Sequence, residues 1–388
     1  MKKVEKYYDA DPGLEWGRLE RHPLELHMTL RNLQRFLQPA SRIADIGGGP
    51  GRYAIELTRR GHRVTLLDLS RQNIELARQK VAQAGVELEG FFQANALHLP
   101  PELESESFDA VLLLGPLYHL HAPQDRRQAV EQAMALLKPG GVFFASFITS
   151  TAPMVDMLKH DPAAISSFHH RLMDFYPEAV YDPQDESEGF TQAFFCHPAG
   201  VKPFMESLGL ETQRVCAIES LGAQAEVQWN ELSGELREKW MDVFDLVGAD
   251  PTAWASTEHL LYVGKKPDGP LARFSGSICF FPARDLLATH HFYHDVLGLE
   301  LFLDQGACRI YDVPGGGKLG FCDHVPSEGP KDPILTLLSP DVDAWASKLQ
   351  QQGFPPLEPP RRNPKFHIYH FFVRDPDGYR VEIQKFVE

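Results

Sequence analysis

The run Ile43-Ala44-Asp45-Ile46-Gly47-Gly48-Gly49-Pro50-Gly51 is the stretch whose residue types could do chemistry. An apolar strand leads into a turn with glycine at 47, 49 and 51, and a helical pattern starts at Arg52. Such a turn takes positive φ and lets backbone close on a ligand. The helix after it aims its first amides at the same place. A dinucleotide fingerprint needs glycine at position 52, where this chain has arginine. The turn is preceded instead by Asp45, whose carboxylate repels a pyrophosphate and attracts an amine. S-adenosylmethionine (SAM), with its sulfonium and α-amino group, suits these charges better than NAD.

The surrounding pattern positions further polar groups. Strands are expected at Ile43–Gly47, Arg63–Asp68, Glu89–Ala94, Phe108–Leu114 and Val142–Ile148, alternating with helices at Ala54–Arg60, Gln72–Ala84 and Arg126–Leu137, the last stopped by Lys138-Pro139-Gly140-Gly141. That alternation means a parallel, doubly wound α/β sheet, whose ligands sit beyond the carboxyl ends of the strands. Three groups fall there. Asp68, with Leu69 after it, can accept both hydroxyls of a ribose. Asn95, beside Ala96, can read an adenine edge. Tyr118 and His119 follow the strand that ends at Leu114 and would floor a transfer site. Ahead of the sheet, residues 5–38 read as a helical cap carrying Tyr7, Tyr8, Trp16, Arg18 and Arg21, able to close over a cofactor.

At 388 residues the chain is long enough for two domains. No run of about 18 apolar residues is present, so no membrane span is expected, and the first residues lack the apolar core of a signal peptide. The net charge of −15 argues against a nucleic-acid partner. The five cysteines (196, 216, 279, 308 and 322) are odd in number and widely spaced, which reads as reduced thiols in a cytoplasmic protein.

Residues 1–266 resemble class I SAM-dependent methyltransferases. The resemblance rests on Asp45 to Gly51, on Asp68, on Phe108-Asp109-Ala110-Val111 and on Leu136-Leu137-Lys138-Pro139-Gly140-Gly141. It implies a seven-stranded sheet, and Leu210–Glu219 and Glu258–Lys265 would supply the last two strands, with Pro198–Leu208 and Glu231–Val247 as helices. It also implies SAM as cofactor, held by Asp45, Gly47, Gly48, Gly49, Gly51, Asp68, Leu69, Asn95, Ala96 and Leu114. The family often has aspartate where this chain has Asn95. Residues 150–197 are then an insertion over the transfer site, a substrate lid with an acidic turn at Asp182–Glu188. His169 and His170 within it are sequence neighbours that point apart on a helix and match no zinc spacing.

Residues 267–271 read as a linker. From 272 the order strand, helix, three strands occurs twice, with helices at Asp285–Val296 and Val342–Gln352 and strands near Ser277–Phe281, Leu299–Leu303, Cys308–Val313, Lys318–Cys322, Ile334–Leu338, Phe354–Leu357, Ile368–Val373 and Tyr379–Phe386. Phe292, Val296 and Leu297 would face inward. Paired βαβββ units of this kind, with Phe292-Tyr293-His294-Asp295-Val296-Leu297-Gly298 and Asp375-Pro376-Asp377-Gly378-Tyr379-Arg380-Val381-Glu382, resemble the glyoxalase/bleomycin-resistance (vicinal-oxygen-chelate) superfamily, an α+β fold. The superfamily's metal ligands imply histidines at positions occupied here by Ile278 and Ile334, leaving Glu382 alone, so no metal site is expected and Glu382 reads as a paired or solvated carboxylate.

The sequence thus points to methyl transfer from SAM to a small-molecule acceptor. His119 is the candidate base, with Tyr118 beside it. The second domain would bind substrate, shape the pocket or form a homodimer. Two other readings are a drug- or metabolite-sequestering resistance protein and a metal-dependent enzyme in the second domain.

Overall fold

In the computed structural model of the chain the described residues are 2–183, 191–269, 276–296, 298–313, 316–324, 334–374 and 380–387. The chain divides into two compact units, Met1–Asp268 and Gly269–Glu388.

In the first unit, helices α1 (Lys2–Ala10), α2 (Pro12–Arg21) and α3 (Pro23–Phe36) precede the sheet. Each of α2 and α3 starts on a proline, which needs no intrahelical donor there, and the Asp11 carboxylate caps α2 by accepting from the Leu14 N–H at 3.0 Å. The apolar face of α3, Leu24, Met28, Leu30 and Leu33, is buried in the same core cluster as Ile43, Leu57 and Phe144.

Strands β1 (Arg42–Ile46), β2 (Arg63–Asp68), β3 (Gly90–Gln93), β4 (Phe108–Leu113) and β5 (Leu137–Ile148) alternate with α4 (Arg52–Arg59), α5 (Arg71–Ala84) and α6 (Pro123–Leu136). They pair in parallel in the order β3-β2-β1-β4-β5. Strand order reverses between β1 and β4, so the crevice beyond Ile46 is where a ligand fits. Lys138-Pro139-Gly140-Gly141 does not separate helix from strand as expected. Those residues lie inside β5, where the register jumps between Phe108↔Leu137 and Ala110↔Val142 and Gly140 takes φ +73°.

Beyond β5 the chain forms α7 (Ala152–His160), α8 (Ile165–Phe175) and a small hairpin of β6 (Ala179–Tyr181) and β7 (Ala193–Phe195). Phe195, Phe175 and Tyr181 cluster with Ile148 at the end of β5 and with Tyr118. Of the expected acidic turn, Asp182 accepts from Lys3 Nζ at 2.8 Å; residues 184–188 lie outside the described residues. Helix α9 (Pro198–Ser207) follows, then β8 (Glu211–Ala217), α10 (Glu226–Asn230), α11 (Gly234–Gly248) and β9 (His259–Lys265). β9 inserts antiparallel between β5 and β8, completing seven strands.

The second unit contains β10 (Gly276–Pro282), α12 (Leu286–His290) running into a π-turn at His291–Val296, β11 (Leu301–Asp304), β12 (Cys308–Val313) and β13 (Gly317–Cys322). The order repeats as β14 (Ile334–Leu338), α13 (Val342–Gln351), β15 (Arg361–Asn363), β16 (Ile368–Arg374) and β17 (Arg380–Phe386). All eight strands join one sheet in the order β11-β12-β13-β10-β14-β17-β16-β15, with β10 and β14 antiparallel at the centre. The strand expected near Phe354–Leu357 is absent and its place is taken by Arg361–Asn363. Pro355 and Pro356 carry no N–H for a ladder. The side chains of Phe292, Val296 and Leu297, the linker residues 270 and 271, and Asp375 to Tyr379 lie outside the described residues.

One expectation is overturned here. Cys308 and Cys322 form a disulfide. Antiparallel pairing of β12 with β13 sets the two cysteines directly opposite each other, a juxtaposition that their separation of 14 in the sequence does not reveal. Cys196, Cys216 and Cys279 remain thiols. Thiol titration of unreduced, denatured protein should therefore find three reactive thiols; five would show that the pair is open.

Candidate cofactor crevice and acceptor chamber

The glycine turn forms because β1 and β2 end together. The N–H groups of Gly47 and Gly48 both donate to the Leu67 carbonyl, at 2.8 and 3.1 Å. Gly47 (φ +73°) and Gly49 (φ +55°) take the left-handed backbone that the turn requires. At Gly48 the constraint is space: a Cβ would lie 2.3 Å from Leu66 Cδ1 and 2.6 Å from Asp45 Oδ2. Gly51 (φ +88°) caps α4 and does not line the crevice.

Two carboxylates stand behind this turn. Asp68 Oδ2 accepts from the Gly49 N–H at 2.8 Å, and Oδ1 accepts from the Ser70 N–H at 2.9 Å and Asn73 Nδ2 at 3.1 Å. Burial nevertheless raises its pKa to about 6 against those bonds. Asp45 is 1% exposed and its Oδ2 has no hydrogen-bond partner. Burial first, and then the charge of Asp68, push Asp45 up to about 7. A buried, unpartnered carboxylate oxygen beside open crevice fits an ammonium group.

Asp45, Gly47, Gly48, Gly49, Asp68, Leu69, Ala96 and Leu114 all line one crevice. Asn95 does not. Its Oδ1 accepts from the Leu97 N–H at 3.0 Å, closing its own turn, while Ala94 and Ala96 on either side reach the crevice. From the amino-terminal cap, Tyr8, Glu15 and Arg18 line it too. Trp16 instead packs under the Arg52 guanidinium, 3.7 Å from the ring centre, outside the crevice. Neither Trp16 nor Tyr7 is placed to face a sulfonium there.

Next to the crevice lies a chamber of about 830 Å³. Tyr8, Glu15, Arg18 and Tyr118 line both spaces and mark their junction. Helices α7 and α8 and the β6–β7 hairpin supply apolar and aromatic walls, Met157, Phe168, Leu172, Phe175, Tyr181 and Phe195. The floor is charged. Arg18 Nη1 donates to Glu25 at 2.5 Å, Lys159 Nζ to Glu258 at 2.7 Å, and His22 pairs with Glu226 at 3.1 Å. Glu219 and His259 complete it.

His119 is not part of the chamber. Its Nε2 bonds the Tyr8 hydroxyl at 2.8 Å and its Nδ1 the Gln192 carbonyl at 2.8 Å. Burial holds its pKa down at about 4. The ring is therefore neutral and doubly engaged: Nδ1–H donates to the carbonyl and Nε2 accepts from the hydroxyl. His119 thus lines the crevice, and not the chamber, with both ring nitrogens engaged. His119 holds Tyr8, while Tyr118 stands at the junction. Glu25, Glu219 and His259 were not picked out as site residues by sequence reasoning, and Glu219 and His259 meet across 40 positions of chain; Arg18 was expected only as part of a cap able to close over a cofactor.

The geometry agrees with the similarities of the chain. Residues 43–141 match the methyltransferase domain family, and residues 277–383 match the glyoxalase/bleomycin resistance protein/dioxygenase superfamily. The chain thus joins a segment that matches a methyltransferase-domain family to one that matches the glyoxalase superfamily. A ubiquinone biosynthesis O-methyltransferase of Nitrosococcus oceani is 36% identical over 110 residues, 28% of this chain and 44% of that one. A tRNA 5-carboxymethoxyuridine methyltransferase of Escherichia coli is 35% identical over 111 residues, 27% of this chain and 40% of that one. The chain thus spans less than half the length of these curated relatives. A solved Burkholderia thailandensis 1,6-didemethyltoxoflavin-N1-methyltransferase is 16% identical over 68% of this chain and 85% of that one, with a TM-score of 0.42.

In the glyoxalase-superfamily domain, strand register puts Lys318, Ile278, Thr336 and Glu382 side by side across the four central strands. The residue beside Glu382 is thus Thr336, and not Ile334 as counting from Asp341 suggests. Glu382 is buried and accepts from Thr336 Oγ1 at 2.9 Å and from His370 Nδ1 at 2.6 Å. One carboxylate already committed to two donors, with Thr336 and Phe372 as its cross-strand neighbours, does not suit a divalent cation.

The methyltransferase domain's buried carboxylate has a thermodynamic consequence. A pKa raised on folding means that the native state holds an extra proton at acid pH. The stability this confers is present below about pH 4 and is lost as the pH rises through about 7. Asp45→Asn should therefore stabilise the ligand-free protein at pH 8, by about 2 kcal/mol, and change little at pH 4. Urea denaturation at the two pH values measures the difference.

Proposed function

We propose that the chain transfers the methyl group of SAM to a compact acceptor seated in the chamber. The observation that carries this reading is the partnerless Asp45 oxygen buried behind a glycine turn. In this reading Asp45 holds the α-amino group, and the backbone of Gly47, Gly48 and Gly49 passes close along the amino-acid portion. Asp68, whose oxygens have acceptor capacity beyond their present donors, takes the ribose hydroxyls. Leu69, Ala96 and Leu114 wall the nucleoside, and Gly51 and Asn95 act through the turns they close.

When bound, SAM supplies a methyl group already activated by the sulfonium. The protein's task is then alignment and exclusion of water. Tyr8 and Tyr118 stand where the two spaces meet and orient the acceptor against the crevice, and His119 fixes Tyr8. The chamber, walled by the lid, suits a compact molecule. The glyoxalase-superfamily domain serves substrate binding or dimerisation and runs no metal chemistry.

Titration calorimetry tests this. SAM or S-adenosylhomocysteine should bind with micromolar affinity, and Asp68→Ala should largely remove binding while the variant stays folded by circular dichroism. Binding should also release a proton near pH 6.5, because the ligand ammonium pulls the Asp45 pKa down, and the affinity should fall about tenfold per pH unit below the Asp45 pKa. Unchanged binding in the Asp68 variant, or no proton release, would sink the assignment of the crevice.

A further inference from the structure

We infer that the His259–Glu219 pair holds the methyl acceptor as an anion, and that the acceptor is a phenol. This rests on the reading of the crevice as a SAM site. The argument starts from topology. Because β9 runs antiparallel, its first residue lies at the carboxyl edge of the parallel strands, the edge that carries the crevice. Glu219 follows β8 and reaches the same edge. The antiparallel pairing of Ala217 with Leu260 brings the two residues together although 40 positions separate them.

The pair is built and oriented. His259 Nδ1–H donates to Glu219 Oε1 at 2.6 Å. Glu219 Oε2 accepts from Thr257 Oγ1 at 2.6 Å and from the His259 N–H at 3.1 Å. The carboxylate is fully engaged and fixes which ring nitrogen carries its proton. His259 Nε2 makes no hydrogen bond to any described residue, and the ring lines the chamber. Glu25 lies on the other side, its carboxylate within 4.8 Å of the ligating atoms of both partners. Glu25 in turn binds Arg18, which lines crevice and chamber alike. The pair therefore sits at the end of the chamber that meets the crevice.

The charge balance selects the ligand. Burial lowers the affinity of His259 for its proton, but the carboxylates of Glu25 and Glu219 outweigh burial and hold the ring up to about 9. An imidazolium with Nε2–H facing the chamber is a donor to an anionic oxygen. An ammonium acceptor would meet this cation and Arg18, while the nearby carboxylates are already paired: Glu25 with Arg18, Glu258 with Lys159, Glu226 with His22. The lid rings Phe168, Phe175, Tyr181 and Phe195 suit a flat aromatic body behind that oxygen.

The step balances. The phenol gives its proton to solvent, and the phenolate oxygen accepts from the Nε2–H of the His259 imidazolium. The phenolate oxygen forms a bond to the methyl carbon. The carbon–sulfur bond breaks with its electron pair left on sulfur, and the His259 imidazolium ends the step protonated as it began.

The test uses the full chain saturated with S-adenosylhomocysteine and 4-nitrophenol as the probe, whose ionised form absorbs at longer wavelength than the neutral one. At pH 6 the bound probe should be largely nitrophenolate. In His259→Asn the ionised fraction should fall roughly tenfold relative to the neutral form, and Glu219→Gln should lower it in the same direction. Calorimetry with S-adenosylhomocysteine on each variant separates this outcome from a damaged fold. Failure of the wild type to bind S-adenosylhomocysteine would overturn the methyltransferase reading itself. Intact S-adenosylhomocysteine binding with no bound nitrophenolate, or with nitrophenolate undiminished in His259→Asn, would overturn the present proposal alone.

Discussion

Two carboxylates are taken out of water side by side behind the glycine turn of the first unit. Asp45 and Asp68 close adjacent parallel strands and share one crevice wall, so each raises the cost of ionising the other. Asp68 is partly compensated by three donors from its own loop and from the glycine turn. Asp45 has an oxygen with none. Such an arrangement is unfavourable for the unliganded fold and becomes favourable when a cation of the right shape arrives. The surrounding glycines follow from the same fact. Gly48 has no room for a side chain because Leu66 and the Asp45 carboxylate occupy it, and Gly47 is pressed against Pro116.

The charged floor of the chamber obeys a different logic. There each acid has a basic partner, Arg18 for Glu25, Lys159 for Glu258, His22 for Glu226 and His259 for Glu219. Buried ions arranged in pairs are costly to assemble, and they specify geometry more than they add stability. The chamber is thus polar at its base and aromatic along the walls that α8 and the β6–β7 hairpin supply.

What the chain order makes visible is whatever depends on neighbours in sequence. The glycine turn, the acid ending the second strand and the strand–helix alternation are local patterns, and they place Asp45, Asp68, Leu69 and Ala96 in one crevice. Pairings across long intervals are not visible. Glu219 meets His259 only because a strand inserts antiparallel, and Cys308 meets Cys322 only because two strands align without offset. Thr336, and not Ile334, lies beside Glu382 because strand register, not distance from the following helix, decides the neighbour. Asn95 and His119 show a second limit. Residue type and position identified polar groups near the crevice, but not their hydrogen bonds, Asn95 in its own turn and His119 to Tyr8 and Gln192.

Helix α1 is bound into this machinery at several points. Tyr8 bonds His119, the Asp9 carboxylate accepts from the Ser70 hydroxyl at 2.5 Å just after Asp68, and Lys3 reaches Asp182 beside the lid hairpin. The amino-terminal segment is therefore a structural wall and not an appendage. Affinity tags, fusion partners or proteolytic trimming at that end would loosen the wall of both spaces at once, and a preparation altered there would report the properties of an opened enzyme.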